Sequence, residues 1–314
     1  MAWTSEEQWV ARKSALSKTQ PRHRRWQGFI AIGFLLPAAV FLLAFVYIPA
    51  LISLGLGFFH YHMLGVGTTW GGLSDFKEAL TYPIFWLAFK NTLVYSLIMI
   101  PLTILGSLGI ATLIAQPSGW FHAIRTMVLL PYVTPVIATS IGWLWMFNPQ
   151  YGVLNAVLQW LGLPISQWML SPYMALPSVA FYSLWHGLGF DVVIMLSALS
   201  NVPKTVLEAA AIDGASSWQR FRKVTLPLLS PTLFFLVIIT TIGSLQAFSQ
   251  IFALSGGQGG PEYATTTLLL LIYQTAFQYY HFSYAAAMAI LLVLLILLFT
   301  LIQNWLAKRW VFYQ

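Results

Sequence analysis

Long apolar segments alternate with short polar ones along most of this chain. Each long segment has enough residues to cross the roughly 30 Å hydrocarbon layer of a bilayer as a helix, even when tilted. Pro37 and Pro49 predict kinks in the first segment. The pattern predicts an all-α membrane protein with six transmembrane helices, at residues 28–59, 92–115, 127–147, 175–199, 228–254 and 285–306.

One shorter segment, residues 151–163, has a different pattern. Asn155 and Gln159 fall opposite a set of apolar residues at helical spacing, namely Val153, Leu154, Val157, Leu158 and Leu161. The segment is too short to span a bilayer and has a proline beyond each end. We therefore expect a helix that lies in the outer interface.

The polar connections have different expected roles. Residues 60–90 and 255–261 are predicted external loops, the second flexible because of its glycines, and residues 116–119 are a predicted tight turn. His60 and His62 begin the first loop. A metal site would need a third ligand, which is not evident nearby, so interfacial residues are the simpler interpretation.

Residues 203–231 form a polar island between two apolar segments. Residues 206–213 are rich in alanine and suit a short helix, which Gly214 can end in a left-handed conformation. Ser216 or Ser217 can cap a second helix, in which Trp218 and Phe221 share a face. Pro227 is predicted to open the next apolar segment. Two short helices hinged at a glycine between two spans favour a docking element.

Composition supports the membrane assignment. The chain is 59% hydrophobic and only 7% charged, whereas soluble domains carry about 25% charged residues. Its 314 residues leave room for six spans but not for a large soluble domain. There is no cysteine, which excludes disulfides, thiol nucleophiles and cysteine-based metal sites.

The distribution of basic residues predicts the orientation. Six spans put both termini on one side, together with the 203–231 island. Every Lys and Arg except Lys77 and Lys90 falls on that side, including the cluster in the N-terminal tail at residues 1–27. By the positive-inside rule this side is cytoplasmic. We therefore interpret the basic cluster of the tail as a determinant of membrane orientation rather than as a nucleic-acid-binding arm.

Motifs of catalysis are missing from the sequence. It has no GxxxxGK[ST] phosphate-binding loop, no HExxH metal motif and no nucleophile elbow. We therefore expect no enzymatic activity, no cofactor and no metal in this chain. We divide the chain into the cytoplasmic basic tail (1–27) and a six-span domain (28–310).

Polar side chains inside the predicted spans are candidates for function, because they are costly in a membrane. Asp191 lies near His186 in the fourth span. It fits either half of a proton relay or a single acid packed against a neighbouring subunit or a water-filled cavity. In the fifth span, Gln246, Ser249 and Gln250 fit either hydrogen bonding to a sugar or polyol, or interhelical contacts.

The island also resembles a known motif. Glu208-Ala209-Ala210, then Asp213-Gly214-Ala215, then Leu226-Pro227 is similar to the EAA loop of permease subunits of ATP-binding-cassette importers. The resemblance implies that residues 203–227 are a coupling loop, seated in a groove of a cytoplasmic ATPase. It also implies the type I importer transmembrane fold.

Further stretches resemble the carbohydrate branch of that family: Asn155 in GVLNAVL, Trp185 in SLWHGLGF, and residues 245–261. The GGQGGP loop departs from the more compact form common there. The resemblance implies a second homologous permease, two ATP-binding subunits and an extracytoplasmic sugar-binding protein as partners, besides membrane lipid. It places substrate contacts at His186, Gly187, Phe190, Ser244, Gln246, Ala247 and Gln250.

These observations predict the permease subunit of an ATP-driven importer of a sugar, polyol or oligosaccharide. It would be a multi-pass protein of a bacterial or archaeal cytoplasmic membrane, with ATP hydrolysed by a partner. One alternative is a self-contained secondary transporter that uses Asp191. Another is a structural scaffold. The first does not explain the spacing of the EAA-like residues, and the second does not explain the polar groups in the spans.

Overall fold

The computed structural model describes residues 21–61, 67–115 and 119–311. Of the predicted features, the N-terminal tail up to residue 20, His62 and the turn at residues 116–118 lie outside these ranges. The described secondary structure is helical apart from a two-stranded antiparallel sheet, in which Phe59 pairs with Trp70.

The first half of the chain contains helices α1 (Pro21–Leu42), α2 (Ile48–Leu56), α3 (Ser74–Thr81), α4 (Pro83–Ile114), α5 (Gly119–Val133) and α6 (Val136–Met146), with strands β1 (Phe59–His60) and β2 (Thr69–Trp70) and a π-helical turn at Leu43–Tyr47. The second half contains α7 (Val153–Trp160), α8 (Ala175–Ser200), α9 (Lys204–Ile212), α10 (Ser217–Arg220), α11 (Leu226–Leu228), α12 (Ser230–Leu245), α13 (Ser249–Ser255), α14 (Leu268–Tyr273) and α15 (Phe282–Ala307). It also has π-helical turns at Phe221–Thr225 and Gln274–Gln278, and 3-10 turns at Trp168–Leu170 and Pro261–Tyr263.

Four helical stretches in the described ranges are long and apolar enough to cross a membrane: Ile32–Leu56, Pro83–Ile114, Ala175–Ser200 and Phe282–Ala307. Two bent helix pairs bring the number to six if each pair counts as one span. The all-α class and the six apolar elements predicted from the sequence are confirmed, and α8 and α15 match their predicted bounds closely.

The predicted second span begins too late. Helix α4 starts at Pro83 rather than near residue 92, with the proline in the first helical turn, where its missing N–H costs little. The predicted external loop at residues 60–90 therefore contains the small sheet, α3 and the first turns of α4.

The third predicted span is not straight. The chain bends by 100° between α5 and α6. Pro135 has extended backbone angles (φ −61°, ψ 126°) and lacks an N–H, and a residue before proline is disfavoured in the α-helical region. The span predicted at residues 127–147 therefore consists of two helices joined at a bend.

The fifth predicted span is interrupted twice. A 64° bend separates α11 from α12, so the long helix begins at Ser230 rather than at residue 228. It ends at Leu245, and Phe248 has non-helical angles (φ −139°, ψ −64°) before α13 begins. The carbonyl freed at Ala247 accepts a hydrogen bond from Thr267 Oγ1 at 3.0 Å. The prediction of one helix over residues 228–254 was wrong.

The connection after α13 is held by hydrogen bonds, contrary to the expected flexible loop. The Gly257 N–H donates to the Phe252 carbonyl, and Gln274 Nε2 donates to the Gly257 carbonyl, both at 2.8 Å. Asn91 Nδ2 of α4 donates to the carbonyls of Tyr263 and Thr266. The apolar helix at Leu268–Gln278, which the sequence analysis left unassigned, follows this connection.

The chain divides into two compact units, residues 1–55 and residues 56–314. In the first, the side chains of residues 32–53 are all exposed and almost all apolar. The second holds three buried apolar clusters, represented by Tyr95 with Tyr182, Met195 with Leu236, and Phe85 with Met288. Helices α4 and α8 pack together along the first two clusters, beside the cavity described next.

Candidate functional site

A cavity of about 310 Å³ lies among the interrupted helices of the second unit. Helices α4, α5, α6, α8, α12 and α13 each contribute to its wall. Its lining includes Tyr95, Met99, Thr103, Tyr132, Val136, Tyr182, Ser183, His186, Gly187, Phe190, Asp191, Thr240, Ser244 and Gln250. The bend between α5 and α6 and the break after α12 both adjoin it.

Aromatic rings form part of the cavity wall. Tyr132 stacks on Phe190, with ring centroids 4.9 Å apart and planes 20° apart. Tyr182 lies beside His186 at 5.8 Å between centroids. Such rings offer apolar faces together with hydroxyl or imidazole groups at their edges.

Side chains of α8 donate hydrogen bonds to backbone carbonyls at the α5–α6 bend. His186 Nε2 donates to the Thr134 carbonyl at 3.1 Å, which leaves Nδ1 as an acceptor in the neutral ring. The Tyr182 hydroxyl donates to the Val136 carbonyl at 2.9 Å. An interrupted helix is tolerated at membrane depth only when its polar groups are paired or line a cavity. The bend and the cavity wall therefore depend on the same residues.

Two more polar side chains, Gln250 and Asp191, reach the cavity. Gln250 Nε2, at the start of α13, donates to the Tyr95 hydroxyl of α4 at 3.2 Å. Asp191 of α8 is only 8% exposed. Its carboxylate makes no hydrogen bond or ion pair with any residue that the structure describes.

The structure brings part of the predicted substrate set together. His186, Gly187, Phe190, Ser244 and Gln250 all line the cavity. Gln246 is exposed at the end of α12 and Ala247 is buried, and neither lines it. Their proposed contacts with substrate stay predictions.

Sequence reasoning missed several lining residues, namely Tyr95, Met99, Thr103, Tyr132, Tyr182 and Thr240. Tyr132 had a readable signal, because it lies between Pro131 and Pro135, which mark a break in a helix. The residues of α4 gave none, since Thr103 and Met99 are ordinary in an apolar span.

The polar island forms the hinged pair of helices expected for it. Gly214 has φ +78°, the left-handed conformation. Its N–H donates to the Ala211 carbonyl at 3.1 Å, and the Ala215 N–H donates to the Ala210 carbonyl at 3.0 Å. These two bonds are the Schellman pattern that ends a helix. The predicted helix end is confirmed.

The second short helix is also built as expected. The Ser216 hydroxyl accepts from the Gln219 N–H, and the Gln219 side chain accepts from the Ser216 N–H, which completes a capping box. The rings of Trp218 and Phe221 stack at 5.8 Å. The chain then passes through the π-helical turn into α11 and the 64° bend.

The surface of this coupling segment, residues 203–227, mixes charge with exposed apolar groups. Glu208, Ala209, Asp213 and Gly214 are exposed, and Ala210, Ala215, Leu226 and Pro227 are half-buried. Ile212 is 87% exposed and Trp218 67%. Large apolar side chains displayed within a charged segment are typical of a protein interaction surface.

Comparison with known proteins identifies the family. The profile of the binding-protein-dependent transport system inner membrane component family matches residues 107–312. The chain belongs to this family. It is therefore a membrane permease component of an ATP-binding-cassette importer, and the resemblance drawn from the EAA-like residues is confirmed. Membership of a transport family agrees with the expectation that the subunit is not the catalytic one.

Individual relatives are similar over most of their length. The chain is 34% identical to the lactose transport system permease protein LacF of Rhizobium radiobacter, over 78% of this chain and 83% of the relative. It is 31% identical to the sulfoquinovosyl glycerol transport system permease protein SmoG of Agrobacterium fabrum, over 83% and 86%.

A solved structure shows the same fold. It is a bacterial alginate ABC transporter in complex with an alginate pentasaccharide-bound periplasmic protein. The match has a TM-score of 0.80 and 25% identity, and it covers 92% of this permease and 98% of that chain. The type I importer transmembrane fold predicted from the sequence is thereby confirmed.

Proposed function

We propose that this permease forms half of the pathway of an ATP-driven sugar importer, in which its cavity contacts the sugar. The observation that carries the proposal is the cavity itself: its wall contains both stacked aromatic rings and hydrogen-bonding groups, at the point where two spans are interrupted. Sugars present both apolar faces and hydroxyl groups, and such a wall offers a partner to each. The names of LacF, SmoG and the alginate transporter all specify sugars or sugar derivatives.

The proposed substrate contacts are the predicted residues that line the cavity, with Tyr95, Tyr132 and Tyr182 added. His186 offers its Nδ1, and Gln250 and Tyr95 share a hydrogen bond that a sugar hydroxyl can join. Gln246 and Ala247 would contact substrate only in another arrangement of the α12–α13 break. Discontinuous helices at the binding site are a recurring feature of transporters.

The proposed partners are a second homologous permease, two cytoplasmic ATP-binding subunits and an extracytoplasmic binding protein. The coupling segment supports docking to an ATP-binding subunit, because its hinge is fixed by two hydrogen bonds and its exposed face carries Glu208, Ile212 and Trp218. ATP hydrolysis is assigned to that partner. We expect Glu208→Lys, which reverses an exposed charge, to reduce co-purification of the ATP-binding subunit.

The proposed location is the cytoplasmic membrane, with both termini and the coupling segment in the cytosol. The basic residues of the N-terminal tail, the coupling segment and the C-terminus support this orientation. A reporter enzyme fused after Gln314 should be active only in the cytosol, and one inserted at residues 257–260 only outside. The opposite result at either point would contradict the orientation.

The function is tested by reconstituting the complete complex in proteoliposomes with its binding protein. Uptake of a panel of labelled neutral and acidic oligosaccharides, amino acids and peptides is measured with and without ATP. ATP-dependent uptake of at least one saccharide, and of no amino acid or peptide, is expected. ATP-dependent uptake of an amino acid alone would overturn the sugar assignment. ATP-independent, proton-driven uptake would instead favour a secondary transporter.

A further inference from the structure

Asp191 differs from the other buried acid of the described chain. Asp75 and Asp191 are each 8% exposed. Asp75 has two polar partners: His60 Nδ1 lies 3.4 Å from its carboxylate and the Ser74 hydroxyl lies 3.5 Å from it. Asp191 has no comparable partner among the described residues, and its side chain borders the cavity.

An unpaired acid in such a place needs an explanation, because burying a charge without a partner is costly. Ionisable residues within spans are rare and face cavities, partners or transported solutes. Packing does not explain Asp191, since an apolar residue of similar size would fill the same space at lower cost. The free-energy cost of burying Asp191 is accounted for if its carboxylate interacts with the solute that enters the cavity.

The other described lining groups offer no fixed positive charge to offset the charge of Asp191. Apart from Asp191, His186 is the one residue of acidic or basic type among the described residues of the lining, and its Nε2–H is directed to the Thr134 carbonyl. The described lining contains no lysine or arginine. A single charge in a narrow cleft with low-dielectric walls dominates the local potential, because the field is focused rather than screened.

We propose that Asp191 is a specificity-determining residue that makes this half of the pathway accept uncharged saccharides and reject anionic ones. The inference rests on the proposed sugar-import function. The carboxylate accepts hydrogen bonds from sugar hydroxyls. A uronate, sulfonate or phosphate group would meet a like charge and no counter-charge from the described lining.

The absence of cysteine from this chain permits a direct test on the assembled complex. Thr240 lines the cavity and is half-buried, so Thr240→Cys places one thiol of this subunit there. The thiol attacks an anionic sulfonatoethyl or a cationic trimethylammonioethyl methanethiosulfonate, which forms a mixed disulfide and releases methanesulfinate. The rate of this modification is followed on this chain's gel band. Each rate is divided by that reagent's rate with a free thiol in solution. The test needs neither the natural cargo nor the binding protein.

We expect the cationic reagent to be favoured in the parent and Asp191→Asn to lower the cation-to-anion ratio at least tenfold. Asp75→Asn, which removes an equally buried carboxylate outside the cavity, should change the ratio less than twofold. Asp191→Ser serves as a second variant if the asparagine variant does not assemble. An unchanged ratio in an assembled variant would overturn the proposal, since the carboxylate would then be neutral or paired with another subunit.

The labelling results distinguish a failure of the proposed role of Asp191 from a failure of the proposed import pathway. Thr103→Cys provides a second reporter in the cavity lining, on helix α4. Failure of both thiols to react would show that the cavity is closed to solutes and would contradict the proposed pathway as well. Normal saccharide uptake with an unchanged labelling ratio would retain the importer and remove only the role of Asp191.

Discussion

The backbone of Val128 in α5 occupies the position where a side chain of residue 189 in α8 would lie. A β-carbon built on Gly189 would overlap the Val128 carbonyl oxygen and approach Leu129 Cα to 2.9 Å. The two helices therefore cross at a distance that only glycine permits, as is common where membrane helices pack. This crossing also holds α5 so that Thr134, just past its end, reaches His186.

Gly189→Ala should therefore damage the protein although alanine is the better helix former. Overpacking costs about 1–3 kcal/mol, and here the obstructing atoms are backbone, which cannot rotate away. The gain in helix propensity is at most about 1 kcal/mol. We expect a lower midpoint of thermal unfolding for the purified complex and reduced insertion or yield.

Gly187→Ala is the matched control for this change. Gly187 lies in the same helix and has nothing within 4 Å of a built β-carbon. It should leave the thermal midpoint unchanged or raise it slightly. Equal destabilisation by both substitutions would show that the close crossing at Gly189 does not limit stability.

Some parts of the fold follow from local sequence patterns, whereas others, such as this crossing, depend on distant residues. Helices α8 and α15 were predictable because a long apolar segment in lipid has few alternatives to a helix. The hinge at Gly214 was predictable because left-handed caps, capping boxes and helix spacing are all local patterns. The α5–α6 bend was signalled by Pro135, although its 100° angle was not.

The break between α12 and α13 could not be predicted in this way. Residues 246–248 contain no glycine or proline. The break is stabilised by a hydrogen bond from Thr267 Oγ1 to the Ala247 carbonyl. Thr267 lies 20 residues further along the chain, so no local pattern reveals this contact. For the same reason the cavity wall on α4 was missed. Tyr95 and Thr103 become site residues only because α8, α12 and α13 pack opposite them.

Asn155→Ala should destabilise the segment around α7. Asn155 is buried, its Nδ2 donates to the carbonyls of Pro149 and Ser166, and its Oδ1 accepts from the Ser166 N–H and Trp168 Nε1, all at 2.8–3.1 Å. Each buried polar group left without a partner costs roughly 1–3 kcal/mol. We expect a clear loss of thermal stability and faster proteolysis near residues 149–168.

Gln159→Ala is the control, since Gln159 lies in the same helix with an exposed side chain. It should change stability by less than about 0.5 kcal/mol. A similar small effect of Asn155→Ala would mean that water replaces the four hydrogen bonds without cost.

The two glutamines near the break should differ in transport. Gln250 lines the cavity and hydrogen-bonds Tyr95, whereas Gln246 is outside it. One hydrogen bond contributes about 0.5–1.5 kcal/mol, so Gln250→Ala should raise the half-saturating sugar concentration up to roughly tenfold. Gln246→Ala should change it less than twofold. Half-saturation is measured at saturating binding protein, and the reverse order of effects would place the sugar nearer the end of α12.

The hinge of the coupling segment should be sensitive to backbone strain rather than to side-chain volume. Gly214 has φ +78° and nothing within 4 Å of a built β-carbon. The left-handed conformation costs a residue with a β-carbon about 1–2 kcal/mol, and asparagine tolerates it better than a β-branched residue. Gly214→Val should therefore reduce substrate-stimulated ATP hydrolysis in the purified complex while the ATP-binding subunit still co-purifies. Gly214→Asn should retain more of the stimulation.

Gly162 provides the comparison that assigns this effect to coupling. It has φ +71°, equally open surroundings and a position beyond α7, far along the chain from the coupling segment. Gly162→Val imposes a similar backbone cost, so it should lower thermal stability to a similar extent and leave the stimulation of ATP hydrolysis intact. If Gly162→Val abolished stimulation equally, the loss would reflect general destabilisation. Full stimulation in Gly214→Val would show that force passes between the ATPase and the spans without a fixed hinge at this glycine.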